Sequence, residues 1–458
     1  MEYMARFEGI GLACGKFPSV DVGQNIFGGE NTIRQQMRTE AALARAQAAV
    51  GVIPQAACDE IVGKCDVALI DESAYFAQLE KTGHPLVCLI RVYSSICEPP
   101  YGEYIHYGTT TQDITDTSTM VQLKQAYEVV QDKARRFRDL AAAKARQYRD
   151  LVMMGRTNDQ QALPITLGFK IASWVDEMDR CLERLEQGKD RIFVGQFFGA
   201  VGTLASLEEQ GLEIQRRMME ELGLGIASMH WFASRDRLAE LVGTLSILTA
   251  SLGRVGNEIY NEQRSEVNEL AEGFRPGKVG SSTMPHKRNP FVPARLATYG
   301  RQIRSCMAEI LSAMEATNER DVRTLGMESE VLARAFCITD AALDTALDLV
   351  EHMEVHQDAI QRNMDLLDGL VFAETVMMHL SGAYGRLEAH EMVYEVAQRA
   401  ISEHRSFREL LLEDAKIAAI LSKDALDKLM DPARYTGLAS YFVDQVAGRR
   451  SGGLSNEF

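Results

Sequence analysis

Residues 109–154 read TTTQDITDTSTMVQLKQAYEVVQDKARRFRDLAAAKARQYRDLVMM, with no glycine or proline between Gly108 and Gly155. Within the stretch Ile114, Val121, Leu123, Tyr127, Val130, Ala134, Phe137, Ala141 and Ala145 recur mostly at three- and four-residue steps, with charges between them. That period keeps apolar side chains on one face of a helix. A helix this long is stable only when neighbours cover its flank, so the pattern predicts a bundle. Met327 to Asp368 is a second stretch without glycine or proline. Helical periodicity over Phe169–Gln187, Trp231–Glu272 and Pro293–Leu325 brings the middle of the chain to about five long helices, while strand-like alternation is scarce. The fold class is all-α.

Toward the N-terminus, Asn31 reads as an N-cap, Ile33, Met37, Ala41, Ala44 and Ala48 form a helical stripe, and Gly51 with Pro54 stop it. Beyond Gly369 the predicted helices shorten, and Pro432 and Gly437 break the last segment before a polar tail, SGGLSNEF. The expected division is an N-terminal helical domain over 1–109, a long-helix domain over 110–367 and a C-terminal helical domain over 368–458. The start, MEYMARFEGIGLACGK, lacks the basic and continuously apolar parts of a signal peptide, and no segment reads as long enough to span a bilayer.

A chain of 458 residues with 46% hydrophobic and 25% charged residues has ordinary globular composition. Its net charge of −16 argues against nucleic acid or an anionic membrane as partner. The cations Lys278, Lys287, Arg288, Arg295, Arg301 and Arg304 cluster against that background, as a small anionic ligand would require or as pairing with nearby carboxylates would explain. The eight cysteines show no metal-like spacing and read as reduced thiols of a cytoplasmic protein. No zinc pattern and no dinucleotide glycine motif is present, so neither a metal nor an organic cofactor is expected.

Chemistry concentrates in GSSTMPHKRNP, Gly280 to Pro290. Serine is a poor base unless backbone N–H groups and a cation stabilise its oxyanion, and Ser281, Ser282, Lys287 and Arg288 bring those parts together. Gly273, Gly277 and Gly280 give such a segment hinges. A second polar cluster, Thr109, Thr110, Thr111 and Gln112, opens the first long helix, with Asp113 or Asp116 available for capping. Hydroxyls at a helix start either bind a carboxylate or simply cap the helix.

The first of these strings, together with IHYGTTTQDITDT at Ile105 to Thr117 and GRTNDQQALPITLG at Gly155 to Gly168, resembles the three signature regions of the fumarase/aspartase superfamily. The resemblance implies a three-domain fold whose central helices assemble four subunits into one bundle, with each active site drawing its regions from three subunits. It implies removal of a proton beside a carboxylate, an aci-carboxylate intermediate, and loss of the group on the neighbouring carbon. Ser281 matches the family's general base, and Lys287 and Asn289 match residues that hold the activated carboxylate. Thr283 and Met284 shape the loop, and Ser282 is either a loop hydroxyl or a substrate contact. Thr110, Thr111, Gln112 and Gln160 become substrate-binding candidates by the same match, and His286 orients the loop or touches substrate.

Two positions depart from the pattern. Where fumarases and adenylosuccinate lyases carry a proton-donating histidine after Arg156-Thr157, this chain has Asn158, and the glutamate that supports that histidine is replaced by Ala294. Asparagine is no general acid. A similar loss marks the 3-carboxy-cis,cis-muconate cycloisomerase branch, where the leaving group is a carboxylate that departs without protonation. The phrase Glu40 to Pro54, EAALARAQAAVGVIP, is also similar to that branch. Against it, His84 and His106 align with active-site histidines of adenylosuccinate lyase, and either can serve as the acid or as a structural donor. Arg320, in Glu319-Arg320-Asp321, either binds a carboxylate or pairs on a helix surface. The expected protein is therefore a cofactor-free, tetrameric enzyme acting on a small polycarboxylate, cycloisomerase-like. The alternatives are a C–N lyase that releases fumarate and a catalytically silent homologue.

Overall fold

The computed structural model describes residues 20–274, 277 and 281–449. The opening segment with Cys14, the hinge and cluster positions Gly280 and Lys278, and the tail SGGLSNEF lie outside the described residues. Helices dominate. The long ones are α5 (Thr111–Gln147), α6 (Leu167–Ile192), α8 (Asp236–Glu262), α9 (Phe291–Ala313) and α10 (Val322–Glu351). Before them come α1 (Gly29–Ala49), α2 (Gln55–Gly63), α3 (Glu72–Thr82) and α4 (Pro85–Ser95), and α7 (Glu208–Leu222) follows α6.

The chain forms two compact units, and each unit is assembled from three separate stretches. Of the described residues, one comprises those up to 135, 181–254 and 296–345, and the other 136–180, those within 255–295, and those from 346 on. In the first unit the long helices meet through buried contacts. The Tyr127 hydroxyl of α5 donates to the Leu185 carbonyl of α6. Thr249 of α8 and Thr339 of α10 share a 2.9 Å hydrogen bond. A Cβ added to Gly253 of α8 would lie 2.9 Å from Cα of Gly300 on α9, so those helices pack backbone to backbone. Lys133 of α5 is buried against Asp340 of α10 at 2.7 Å.

A buried ion triad ties α5, α8 and α10. Arg235, just before α8, donates to Asp116 at 2.8 and 3.1 Å and to Glu328 at 2.5 to 3.0 Å, with its guanidinium 4.7 Å from the Trp231 ring centre. Burial pushes the Glu328 carboxyl upward against the pull of Arg235.

Helix α8 corrects one expectation, because by length and hydropathy it is able to cross a membrane. Thr249 nonetheless hydrogen-bonds to α10 and Gly253 packs on α9, so its faces serve the bundle. Two predicted helices also end sooner than their patterns. The Trp231–Glu272 pattern yields a helix only over Asp236–Glu262, since Trp231 is a buried loop residue and Glu269 and Glu272 turn into polar networks. The Pro293–Leu325 pattern breaks after Ala313, where Asn318 takes φ 57° and the Asp321 carboxylate accepts from Thr317 and Arg323 before α10 begins. At the N-terminal side α1 starts at Gly29, and Asn31 donates from inside its first turn to the Ile26 carbonyl at 2.8 Å rather than capping.

In the second unit a hairpin of β1 (Val152–Thr157) and β2 (Gln160–Thr166) interrupts the helices. Asn158 and Asp159 make its two-residue turn with φ 52° and 62°, the left-handed pair that a type I′ hairpin demands and that Asn and Asp tolerate. After α11 (Gln357–Met364), the short helices α12 (Ala373–Tyr384), α13 (Arg386–Glu403) and α14 (Phe407–Glu413) enclose a core that includes Val376, Leu380, Val393, Phe407 and Leu410. The seven described cysteines are free, and all but Cys65 are buried.

Candidate active site

The start of α5 is fixed by one buried carboxylate. Asp113 accepts from the Thr109 hydroxyl and the Thr110 N–H, both at 3.1 Å, and from the N–H groups of Phe198 and Gly199 at 2.9 Å. Asp113 therefore closes the helix start with Thr109 and the Thr110 N–H, and the Thr110 hydroxyl is left to face elsewhere. The Thr110 hydroxyl accepts from Nη2 of Arg320 at 3.1 Å, and Arg320 also donates to the Ala200 carbonyl at 3.1 Å. Arg320 lies outside any helix, 5.0 Å from the Phe232 ring centre, and its Nε is buried without a partner. Two residues that the sequence offered separately thus form one polar group with an uncompensated guanidinium. Gln112 is buried and turned inward, its amide donating to Asp116 and to the Phe232 carbonyl, while Thr111 begins the helix half-buried.

The two histidines singled out from the sequence, both in this unit, differ in surroundings. His84 is exposed at the N-cap of α4. His106 is part-buried with φ 64°, and Glu40 of α1 accepts from both its backbone N–H (3.2 Å) and its ring Nδ1 (2.7 Å). The Glu40 side chain is 1% exposed. This pair was missed in the sequence, although a carboxylate inside the small apolar run TEAALARAQAA was its available signal.

In the second unit the loop residues Met284 and His286 to Pro290 border an open cleft of ≈ 920 Å³, which Tyr260 and Gln263 also line. The Ser281 hydroxyl oxygen accepts the N–H groups of Met284 at 3.1 Å and Thr283 at 3.3 Å. Two aligned N–H dipoles are what an oxyanion at that atom requires. The Lys287 N–H closes the turn on the Met284 carbonyl at 3.0 Å. Lys287 is exposed and has no ion-pair partner among the described residues, whereas Arg288 is committed: its guanidinium pairs with Glu354 at 3.4 Å and sits 4.3 Å from the centre of the Phe274 ring. Ser282 and Thr283 are exposed on the same turn.

The loop's anchors were also not evident from the sequence. Gln263 donates to the Arg288 carbonyl at 3.2 Å and accepts from the Glu272 N–H at 3.0 Å, and Glu272 in turn accepts the Val292 N–H at the start of α9. Gly273, expected as a hinge, is a packing glycine, because a Cβ there would come within 2.7 Å of the His352 Cβ. Gly277 does adopt φ +88°.

Asn158 and Gln160 stand exposed at the hairpin tip. Arg156 is directed into the unit instead, with a two-pronged pair to Glu269 at 2.6 and 2.9 Å and a longer contact to Glu262 at 3.4 Å. Lys170 pairs with Glu258 and Glu262, and Asn363 donates to Glu269 at 2.8 Å. Burial pushes the Glu262 carboxyl up to about 7 against the pull of Lys170. Burial also acts to raise Glu269, but hydrogen bonds from Arg156, Glu262 and Asn363 hold it below the ordinary carboxylate range. Among the described residues no group of three or more His, Cys, Asp or Glu side chains is placed to hold a metal ion.

Comparison with known proteins gives consistent relatives. A family model described as lyase matches residues 21–305, and one described as adenylosuccinate lyase C-terminus matches residues 369–446. Adenylosuccinate lyase of Methanocaldococcus jannaschii is 38% identical over 421 residues, covering 91% of each chain. N-acetyl-S-(2-succino)cysteine lyase of Dickeya dadantii is 37% identical, covering 91% of this chain and 92% of its own. The crystal structure of beta-carboxy-cis,cis-muconate cycloisomerase from Acinetobacter calcoaceticus superposes with a TM-score of 0.88 at 31% identity, covering 94% of this chain and 98% of that one.

Proposed function

Since the chain belongs to the fumarase/aspartase superfamily of lyases, we propose that it eliminates or adds a weakly basic leaving group, a carboxylate foremost, beside a carboxylate of a small polycarboxylate substrate. The observation that carries the base assignment is the Ser281 oxygen with its two N–H donors. Ser281 removes the proton, Lys287 and Asn289 hold the carboxylate that takes up the charge, and Thr283 and Met284 supply the turn. Thr110, Thr111, Gln160 and Arg320 bind the rest of the substrate, with Ser282, Asn158, His84 and His106 as further contacts, whereas the buried Gln112, expected among the binders, spends its amide on Asp116 and the Phe232 carbonyl. The enzyme works without a cofactor, in the cytoplasm, as a homotetramer whose sites combine signature regions from different subunits.

The leaving-group assignment rests on Asn158 and Ala294. A departing carboxylate, with a conjugate acid near pKa ~4, needs no proton, and a thiolate at about 8.5 needs little help, whereas nitrogen leaving as an anion is far more basic than either and needs a donor. One specific observation favours a second reading, a C–N lyase. The buried Glu40 behind His106 gives the chain a carboxylate–imidazole pair at a position other than 158.

The deciding experiment is an ultraviolet assay of the lactone of 3-carboxy-cis,cis-muconate, N-acetyl-S-(2-succino)cysteine and adenylosuccinate. The expectation is that kcat falls in that order as the leaving group becomes more basic. Efficient turnover of adenylosuccinate, abolished in kcat by His84→Gln or His106→Gln, would move the assignment to the C–N lyase. Turnover of any of the three removes the silent alternative.

A further inference from the structure

The backbone of His106 is held in a conformation that a non-glycine residue rarely takes, φ 64°, and such strain persists only where surrounding contacts enforce it. The enforcing contacts come from one face of α1. Glu40 divides its two oxygens, one accepting the His106 backbone N–H at 3.2 Å and the other the ring Nδ1 at 2.7 Å. Seven residues on, two helical turns along the same face, Gln47 donates to the Tyr107 carbonyl at 2.6 Å. A carboxylate that is 1% exposed has lost its hydration and survives by such bonds. Being an acceptor only, it requires a proton on Nδ1. The other ring nitrogen, Nε2, has no partner among the described residues, and the His106 side chain keeps 17% of its surface exposed.

We propose that Glu40 is the positioning residue of His106, locking Nδ1–H toward the protein so that Nε2 is the atom offered to the substrate's leaving group. It thereby supplies from another position the donor that Asn158 does not. The inference rests on the elimination reading above. The donating form is the imidazolium, protonated on both ring nitrogens. With a departing carboxylate, its Nε2–H stays on the ring and donates a hydrogen bond to the oxygen that receives the C–O electron pair. With a departing amine, the Nε2–H bond breaks as the C–N pair passes to nitrogen, the proton joins that nitrogen, and the ring is left neutral with its proton on Nδ1. Orientation by a rear acceptor is how a carboxylate selects a histidine tautomer in other proton-transfer sites.

The test has a structural arm that needs no substrate. In the full-length protein labelled with 15N-histidine, solid-state spectra of wild type minus His106→Gln isolate the His106 resonances. A proton on Nδ1 is expected in the wild type, and its signature is to be displaced in Glu40→Gln. An unprotonated Nδ1 in the wild type would overturn the proposal. The kinetic arm uses the substrate turned over in the panel. Glu40→Gln is expected to lower kcat about 10- to 100-fold with little change in KM, and Glu40→Asp to recover part of the loss. In a His106→Gln background Glu40→Gln is expected to cost nothing more, because a positioning residue acts only through its partner. An undiminished kcat in a folded Glu40→Gln enzyme, or full additivity of the two substitutions, refutes the role. Loss of activity in Ser281→Ala beside full activity in Glu40→Gln would sink this inference alone, whereas full activity in Ser281→Ala would sink the elimination reading.

Discussion

Replacing Ser281 by alanine removes the hydroxyl oxygen at which the Thr283 and Met284 N–H groups converge, at 3.3 and 3.1 Å. If that oxygen is the base, it must carry negative charge before the substrate proton moves, and the two N–H groups are what make this affordable. A hydrogen bond to a charged group contributes about 1.5–3 kcal/mol, so the pair accounts for about 3–6 kcal/mol of the barrier. At roughly 1.4 kcal/mol per tenfold in rate, kcat should fall about 10²- to 10⁴-fold, within the range found for loss of a positioned base. Ser281 is half-buried in a loop, so the melting temperature should stay near that of the wild type. The assay is ultraviolet absorbance of the unsaturated compound, with Ser282→Ala as the neighbouring control. Near-normal turnover by Ser281→Ala, or a larger loss in Ser282→Ala, would refute the reasoning.

Three further outcomes are expected. Mixed tetramers of inactive Ser281→Ala and inactive Gln160→Ala subunits should regain part of the activity, and a fully active monomer in sedimentation under assay conditions would exclude shared sites. Arg235→Met leaves Asp116 and Glu328 buried without their cation, so it should cost about 3–5 kcal/mol and lower the melting temperature markedly; a loss below about 1 kcal/mol would show that the triad is not structural. Glu262 has a folded-state pKa of about 7, raised above its ordinary value, so its contribution is complete in acid and is lost as pH rises through that point. Between about pH 5 and 8 the wild type should therefore lose melting temperature relative to Glu262→Gln, and parallel curves for the two proteins would contradict the assignment.

The helical core was readable because its information is local and repeated: the apolar period of Ile114 to Ala145 spans α5, and Gly369 does precede the short helices. The breaks were harder. Nothing in the apolar rhythm before Leu325 signals that α9 ends at Ala313, because the stop is a carboxylate, Asp321, closing on Thr317 and Arg323. The hairpin around Asn158 escaped a search for long alternation, yet Asn-Asp between short β-prone runs carries the turn chemistry on its face. For the site, the motif loops supplied the residues that touch chemistry but not those that hold them. Glu40 lies 66 residues from His106, and Glu354 is equally distant from Arg288. Such partners are set by packing of elements far apart in the chain, which no spacing rule records.

The same packing separates two kinds of cation that sequence treats alike. Most buried or half-buried basic side chains here are already neutralised: Arg235 by Asp116 and Glu328, Arg156 by Glu269, Lys170 by Glu258 and Glu262, and Arg138 by Asp179. A cation in such a pair has little field left for a ligand, because removing its carboxylate partner would leave an uncompensated buried charge. In the signature loop Arg288 follows that rule, since Glu354 and Phe274 claim it, and its effect is to hold the loop. Its neighbour Lys287 does not, and neither does Arg320, whose donors among the described residues reach the neutral Thr110 hydroxyl and Ala200 carbonyl. Arg320, half-buried with its Nε lacking a partner, carries a desolvation cost that an anion would offset, and the exposed Lys287 has no competing carboxylate among the described residues. A carboxylate of the proposed substrate would be such an anion. Charge-neutral analogues of the same size should therefore lose binding, and Arg320→Gln should raise KM for the true substrate far more than it lowers kcat.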